Sequence, residues 1–275
     1  MELTNTAIPS RNTFHRIERK YIITKEQFEY IADTVSGYLD PDTNAGSDGM
    51  YSIMSLYYDT PYNTLIRASQ TKPKPKYKEK LRIRSYETPG LDDFVYIEIK
   101  KKVDGIGNKR RCKMTLSEAY EFLKTGNWVN VTNRRYPQVL DEIGAMIKRH
   151  GNVLVPAAIL SYDRFAFNGT GDLAGMRVSF DKNFLGRTYD LRMEKGRYGE
   201  QLLDQELMIM EIKVISSLPI WLTHVLSSQR VFPRSYSKYG TFYLSELARQ
   251  NENSVLLDFE EDNGPLPAAG CGIKS

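Results

Sequence analysis

The sequence predicts an α+β domain in which eight antiparallel strands close into a β-barrel tunnel with peripheral helices. Three observations lead there. Eight runs read as strands, several alternating apolar and polar residues with the period of a strand, short turn sequences join most of them, and capped amphipathic stretches fall between groups of strands. Eight antiparallel strands of this length can close on themselves with alternate residues inside.

Taken in order, residues 1–12 read as a loose leader, followed by a strand over about 14–23. Thr24-Lys25-Glu26-Gln27 has the capping-box pattern and opens an amphipathic helix expected to end near Leu39. After the polar loop PDTNAGSDG, YSIMSLYYDT reads as the second strand and PYNTLIRASQ as a short helix begun by Pro61. KPKPKY is too rich in proline for a central strand. A meander follows, with strands over about 76–86, 93–102 and 107–114 and turns at GLDD and VDGIG. Helices over about 116–124 and 136–149 are stopped by Gly126 and Gly151. Strands over about 154–167, 175–184 and 207–215 come next, then helices near 219–228 and 239–248. From about Asn251 the chain is acidic and then rich in Gly, Pro and Ala, so 249–275 is expected to be a disordered tail and 13–248 the folded domain.

Among 275 residues, 41% hydrophobic and 26% charged fits a soluble domain with a sizeable core. The longest apolar stretch, near Val153 to Leu160, is broken by Pro156 and is too short to span a bilayer, and the polar N-terminus has no signal-peptide pattern. A cytoplasmic location is expected. Cys112 and Cys271 offer neither a disulfide framework nor a metal quartet. The net charge of +4 is unevenly spread, because 14 basic and 6 acidic residues lie between Lys72 and Lys113. That local excess is what an anion-binding surface requires.

The charges also share strand faces. Glu18 and Lys20, Glu98 and Lys100, and Glu211 and Lys213 are each two residues apart, and Lys78, Lys80, Arg82 and Arg84 lie on one face of YKEKLRIRSY with Leu81 and Ile83 on the other. To these SYDRFAF adds Arg164, MRVSFD adds Arg177 with Asp181, and GNKRRCKM adds Lys109 and Arg111. Alternation alone cannot tell an inner face from a solvated one. If the faces line one lumen, so many cations call for internal counter-charges and a bound polyanion. Guanidinium groups grip phosphate oxygens in pairs, and Lys supplies mobile point charges. Glu211, set in an otherwise apolar run, suits a hard divalent ion such as Mg or Mn that bridges phosphates.

Other chemistries are poorly supported. Gly105-Ile106-Gly107 opens no helix, so it is neither a dinucleotide fingerprint nor a phosphate loop. His15, His150 and His224 lack metal-ligand spacing. Trp128, Trp221 and most tyrosines read as core or barrel wall rather than base-stacking platforms, with Tyr77, Tyr86 and Tyr96 least bound to that reading.

In FHRIERKYII, YSIMSLYYDT, YKEKLRIRSY, YIEIKKK with KRR after it, SYDRFAF, MRVSFD, IMEIK and PRSYSKYG, in that order, the chain resembles the VTC (vacuolar transporter chaperone) polyphosphate polymerase domain of the triphosphate tunnel metalloenzyme superfamily. The resemblance covers about Phe14 to Leu247. It implies a tunnel in which Lys20, Arg82, Arg84, Lys100, Lys109 or Arg111, Arg164 and Arg177 hold a triphosphate or a growing polyphosphate. Lys78, Lys80 and Lys213 join the phosphate-binding set, with an internal counter-charge as the alternative for Lys213, and Lys238 guards one mouth with Arg234 or Ser235 beside it. Glu211 is the implied ligand of Mn or Mg, with Glu98 and Glu18 as further acidic candidates. The related CYTH branch has Glu-x-Glu-x-Lys on its first strand; here Arg16 takes the first position, which favours the VTC branch and weakens Glu18 as a ligand. The implied reaction moves the terminal phosphoryl of ATP to polyphosphate, whereas water as acceptor would make a triphosphatase. A non-catalytic binder of polyphosphate is the alternative of another class; nucleic acid is the less expected partner.

Overall fold

The computed structural model describes residues 17–43, 45–46, 49–71, 73, 75–104 and 106–262. The expected leader, the first residues of the first strand, and 263–275 of the expected tail lie outside the described residues. Ten strands and six helices follow in the order β1 (Ile17–Thr24), α1 (Lys25–Ser36), β2 (Asp40–Pro41), β3 (Met50–Asp59), α2 (Thr64–Gln70), β4 (Tyr77–Tyr86), β5 (Phe94–Val103), β6 (Ile106–Thr115), α3 (Leu116–Thr125), α4 (Pro137–Arg149), β7 (Val155–Asn168), β8 (Arg177–Arg187), β9 (Glu200–Gln201), β10 (Leu207–Val214), α5 (Ile220–Ser228) and α6 (Lys238–Asp262). The eight long strands are the eight read from the sequence, and the architecture is α+β.

Local signals explain the helix starts. Thr24 Oγ1 accepts from the Gln27 amide while the Gln27 side chain accepts from the Thr24 amide, and Thr115 with Glu118 repeats that box on α3. Gly126 then ends α3 at φ 69°, where a side chain would be strained. For α2 the cap is Asp59 rather than Pro61: its carboxylate accepts from the amides of Leu65 and Ile66 at 2.9 Å each.

All long-strand pairings are antiparallel, in the order β1-β10-β8-β7-β3-β4-β5-β6, with β2 on β7 and β9 on β8. One sheet face is apolar and carries the helices. Tyr21, Ile23, Val178, Phe180, Met210 and Ile212 pack beneath α1 and α5. Leu81, Ile83, Val95, Ile97, Ile99, Cys112 and Met114 pack beneath α3 and α4. The other face holds the alternating charges, and β3, at the centre, is buried almost throughout.

The sheet curls about this charged face but is not closed by a hydrogen-bonded ladder. Among the described residues β1 and β6 remain its two edges. Lys20 on β1 donates to the Tyr236 carbonyl at 3.1 Å and Lys80 on β4 donates to Ser237 Oγ at 3.2 Å, although five strand spacings separate the two strands. In a flat sheet that separation would be ~24 Å, with side chains standing off in parallel, so both cannot reach adjacent residues unless the sheet curls. The residues before α6 form a strap across the concavity: the Arg234 amide pairs with the Lys20 carbonyl at 2.7 Å and covers the β1 edge. Tyr239 and Phe242 on the first turns of α6 pack on Tyr57, Ala158 and Leu160. Gly186 permits this approach, since a Cβ there would lie 2.7 Å from the Phe242 ring. Two helix ends stand out against the sequence reading. The first helix stops at Ser36 with Gly37 as its cap, and α6 runs on to Asp262, into the segment expected to be a loose tail.

Candidate active site

Register fixes which charges meet. Lys20 faces Glu211 and Glu211 faces Ser179 across β1, β10 and β8, while Glu18 faces Lys213. On the opposite wall Tyr57, Arg82, Glu98 and Arg111 form one row over β3 to β6, and Ser55, Arg84, Tyr96 and Lys113 the next. Lys80, Lys100 and Lys109 form a third, beside the facing pair Lys78 and Lys102. Like charges directly opposite one another disfavour pairing, so this lysine ladder opposes the stability of the sheet.

At the centre of that wall Glu98, 2% exposed, is enclosed by cations. Arg82 donates to Oε2 through Nε at 2.8 Å and Nη2 at 2.6 Å, Lys109 Nζ lies 2.6 Å from Oε1, and Arg84 Nε is 4.0 Å away. Burial pushes the carboxyl up, but Arg82, Arg84 and Lys109 outweigh it and hold its pKa at about 2. Glu98, expected among the metal candidates, is here the counter-charge of Arg82, Lys109 and Arg84. Arg82 also donates to Tyr57 Oη at 3.0 Å, and Arg84 to Ser55 Oγ at 3.2 Å and Tyr162 Oη at 3.3 Å. The rows on either side of Glu98 carry Arg84 and the lysines Lys80, Lys100 and Lys109. The excess positive potential reaches Tyr57: burial raises its phenol, yet Arg82, Arg84 and Lys80 bring the pKa down to about 8. Burial, joined by Lys100, Lys78 and Lys20, pushes the Lys80 ammonium below the usual lysine range against an opposing effect of Tyr57.

Glu211 anchors the facing wall, paired with Lys213 and 3.9 Å from Lys20 Nζ, which also lies 3.3 Å from Glu18. Against burial, Lys213, Lys20 and Lys238 hold the Glu211 carboxyl at about 2, so it is charged at any neutral pH. No cluster of three or more His, Cys, Asp or Glu side chains capable of holding a metal occurs among the described residues. The donors suit an ion shared with phosphate oxygens, which needs only one or two carboxylates, and not an all-protein cage.

Several predicted ligands have other work. Arg164 is committed to Asp181 by two bonds, Nε to Oδ1 at 2.6 Å and Nη2 to Oδ2 at 2.8 Å. Lys238 reaches the same carboxylate at 2.7 Å and lies over the Tyr162 ring, so it sits inside the lumen rather than guarding a mouth. Burial disfavours charge on all three, but their mutual attraction keeps Asp181 well below the usual carboxylate range and Lys238 above the usual lysine range. Arg177 bonds to Asp42, Tyr51 and Asn168. Arg234 is exposed and contributes only its backbone. Lys100 and Arg111 are on the inner face but exposed, Arg111 over the Tyr96 ring at 4.6 Å. Asp181 was legible only as a strand-mate of Arg177, and Tyr57 and Tyr162 only as wall; no spacing signal marks any of them as a partner of an arginine.

The geometry can be set beside known proteins. An adenylate cyclase candidate from Bacillus halodurans is 14% identical, with 81% of this chain and 93% of that one covered and a TM-score of 0.48. An adenylyl cyclase candidate from Hippeastrum, described with a dominant triphosphatase activity, is 15% identical, with 84% and 96% covered and a TM-score of 0.49. No curated protein sequence matches the chain. The family model of the VTC domain matches residues 15–246. That span takes in all ten strands of the curled sheet, both charged walls and the strap that joins them, and by it the chain belongs to the VTC domain family.

Proposed function

We propose that this chain is a metal-dependent polyphosphate polymerase that transfers the terminal phosphoryl of ATP to a growing polyphosphate inside its basic lumen. The observation that carries this is the set of Lys80, Arg82, Arg84, Lys100 and Lys109 on three adjacent rows of one wall, in which, among the described residues, Glu98 is the one acid. A surplus of fixed cations in a curled, partly dewatered space binds a compact polyanion. The lysine ladder favours a chain longer than a triphosphate, because a linear polyanion laid along it relieves its internal repulsion.

In the transfer, the bond between the β–γ bridging oxygen and the terminal phosphorus of ATP breaks. A terminal oxygen of polyphosphate forms the new bond, and ADP leaves. Little covalent work falls to the protein, since positioning and charge stabilisation dominate. Arg82, fixed by Glu98 and Tyr57, and Arg84, fixed by Ser55 and Tyr162, offer prearranged donors to the equatorial oxygens. Lys20 and Lys80, reaching in from opposite walls, neutralise the flanking phosphates. Glu211, with Glu18 beside it, would hold Mn or Mg, and the ion would supply positive charge to the phosphates. Arg164, Asp181 and Lys238 keep the floor of the lumen in place. No helix among the described residues is long and apolar enough to cross a membrane, and ATP as donor fits the expected cytoplasmic location.

The test is product analysis with ATP as sole phosphate donor and Mn or Mg present. Polyphosphate with ADP is expected. Orthophosphate without polymer would assign a triphosphatase, and tight polyphosphate binding without nucleotide consumption a binding module.

A further inference from the structure

We infer that the lumen mouth at Tyr86 and Tyr96, backed by the buried Tyr51, is a nucleobase site, which takes the nucleoside end of a nucleoside triphosphate and leads its phosphate tail inward to Arg84 and Arg82. This rests on the proposal above that the lumen holds a triphosphate.

Exposure changes sharply along the inner face of β4. The Arg84 side chain is 11% exposed, whereas Tyr86, two residues further and on the same face, is 46% exposed. Tyr86 therefore stands where the lumen opens. Its ring lies 5.8 Å from that of Tyr51 and 6.2 Å, edge-on, from that of Tyr96. Three strands thus bring three aromatic rings together, Tyr51 buried behind Tyr86, and Arg111 sets a guanidinium over Tyr96. A flat heteroaromatic ring finds here an open aromatic face and a neighbouring cation.

The platform is rigid. Glu87, directly after Tyr86, adopts φ 66°, an uncommon conformation for a residue other than glycine. Ser52 holds it there: the Glu87 amide donates to the Ser52 carbonyl at 3.0 Å, the Ser52 amide donates to Glu87 Oε1 at 2.7 Å, and Ser85 Oγ donates to the Glu87 carbonyl at 2.8 Å. Distance fits as well. Four residues of strand separate Tyr86 from Arg82, ~13 Å, a span that a nucleoside and its phosphate tail can bridge. Beyond Tyr86 the next rings inward, Tyr57 and Tyr162, are buried and engaged by Arg82, Arg84 and Lys238, so the rim accommodates one base and not a run of them. That favours a mononucleotide over a single-stranded nucleic acid.

Isothermal titration of the full chain with ATP and, separately, inorganic triphosphate tests the assignment. Tyr86→Ala should weaken ATP about 5- to 150-fold, the usual cost of a lost base–aromatic stack, and leave inorganic triphosphate within about twofold. Tyr86→Trp should restore ATP binding; because Tyr86 is half exposed, neither change hollows the core. Equal losses for both ligands, or no loss for either, would overturn the assignment. A short single-stranded oligonucleotide held more tightly than ATP, and lost in the same variant, would also overturn it. An unsubstituted chain that binds ATP but not inorganic triphosphate would count against the phosphate-binding lumen. One that binds neither would remove both proposals.

Discussion

Replacing Glu98 by Gln should move stability and phosphate affinity in opposite directions. In the folded chain the carboxyl titrates at about 2 against an ordinary 4.5. That difference corresponds to about 3 kcal/mol of stability at neutral pH, undiminished by solvent because the side chain is buried. For a domain of this size the loss lowers the melting temperature by roughly 5–10 °C. The substitution also removes the one carboxylate that, among the described residues, shares these rows with Lys80, Arg82, Arg84, Lys100 and Lys109. For a phosphate ~8 Å away at an effective dielectric of ~20–40, the lost repulsion is about 1–2 kcal/mol, or about 5- to 30-fold tighter binding. Calorimetric melting and titration with inorganic triphosphate measure the two effects. The pH dependence has a fixed sign. A depressed carboxyl pKa contributes fully above about 4.5 and loses its contribution as the pH falls through about 2, so the melting curves of parent and variant should converge across that interval. A melting temperature unchanged within about 2 °C, or weaker triphosphate binding, would show that Glu98 is not the counter-charge described.

Tyr57 should give an alkaline limit. Its phenol titrates near 8, so triphosphate affinity falls as the pH rises through that value and places a negative charge beside Arg82, and Tyr57→Phe removes this step when the two profiles are compared. The same depressed pKa adds stability above pH 8, complete only above the ordinary value of 10 and lost as the pH falls again through 8. Glu211→Gln should abolish metal-dependent turnover while metal-free triphosphate binding survives; turnover retained in Mn or Mg would remove Glu211 from the site. Asp181→Asn strands Arg164 and Lys238 side by side without a buried counter-charge and should cost about 3–5 kcal/mol in denaturant unfolding, whereas a loss under about 1 kcal/mol would contradict the network.

Much of this molecule was legible in its sequence because the signals involved are local. Period-two alternation fixed that Lys78, Lys80, Arg82 and Arg84 share a face, and Thr24 with Gln27 fixed where α1 begins. The same alternation is symmetric between inside and outside, so it could not say that the charged face is the concave one. Nor could it say that Glu98 would be caged by Arg82 and Lys109, that Arg164 would be committed to Asp181, or that Lys238 would lie within the lumen. Those facts depend on the register between strands far apart in the chain and on the curl that brings β1 and β4 to the same strap. The sequence by itself therefore determined the strands, most helix ends and the basic character of one sheet face. Only the tertiary structure decided which cations remain available to a ligand and which are held by buried acids, since ion pairing depends on separations of a few ångströms that no one-dimensional pattern encodes.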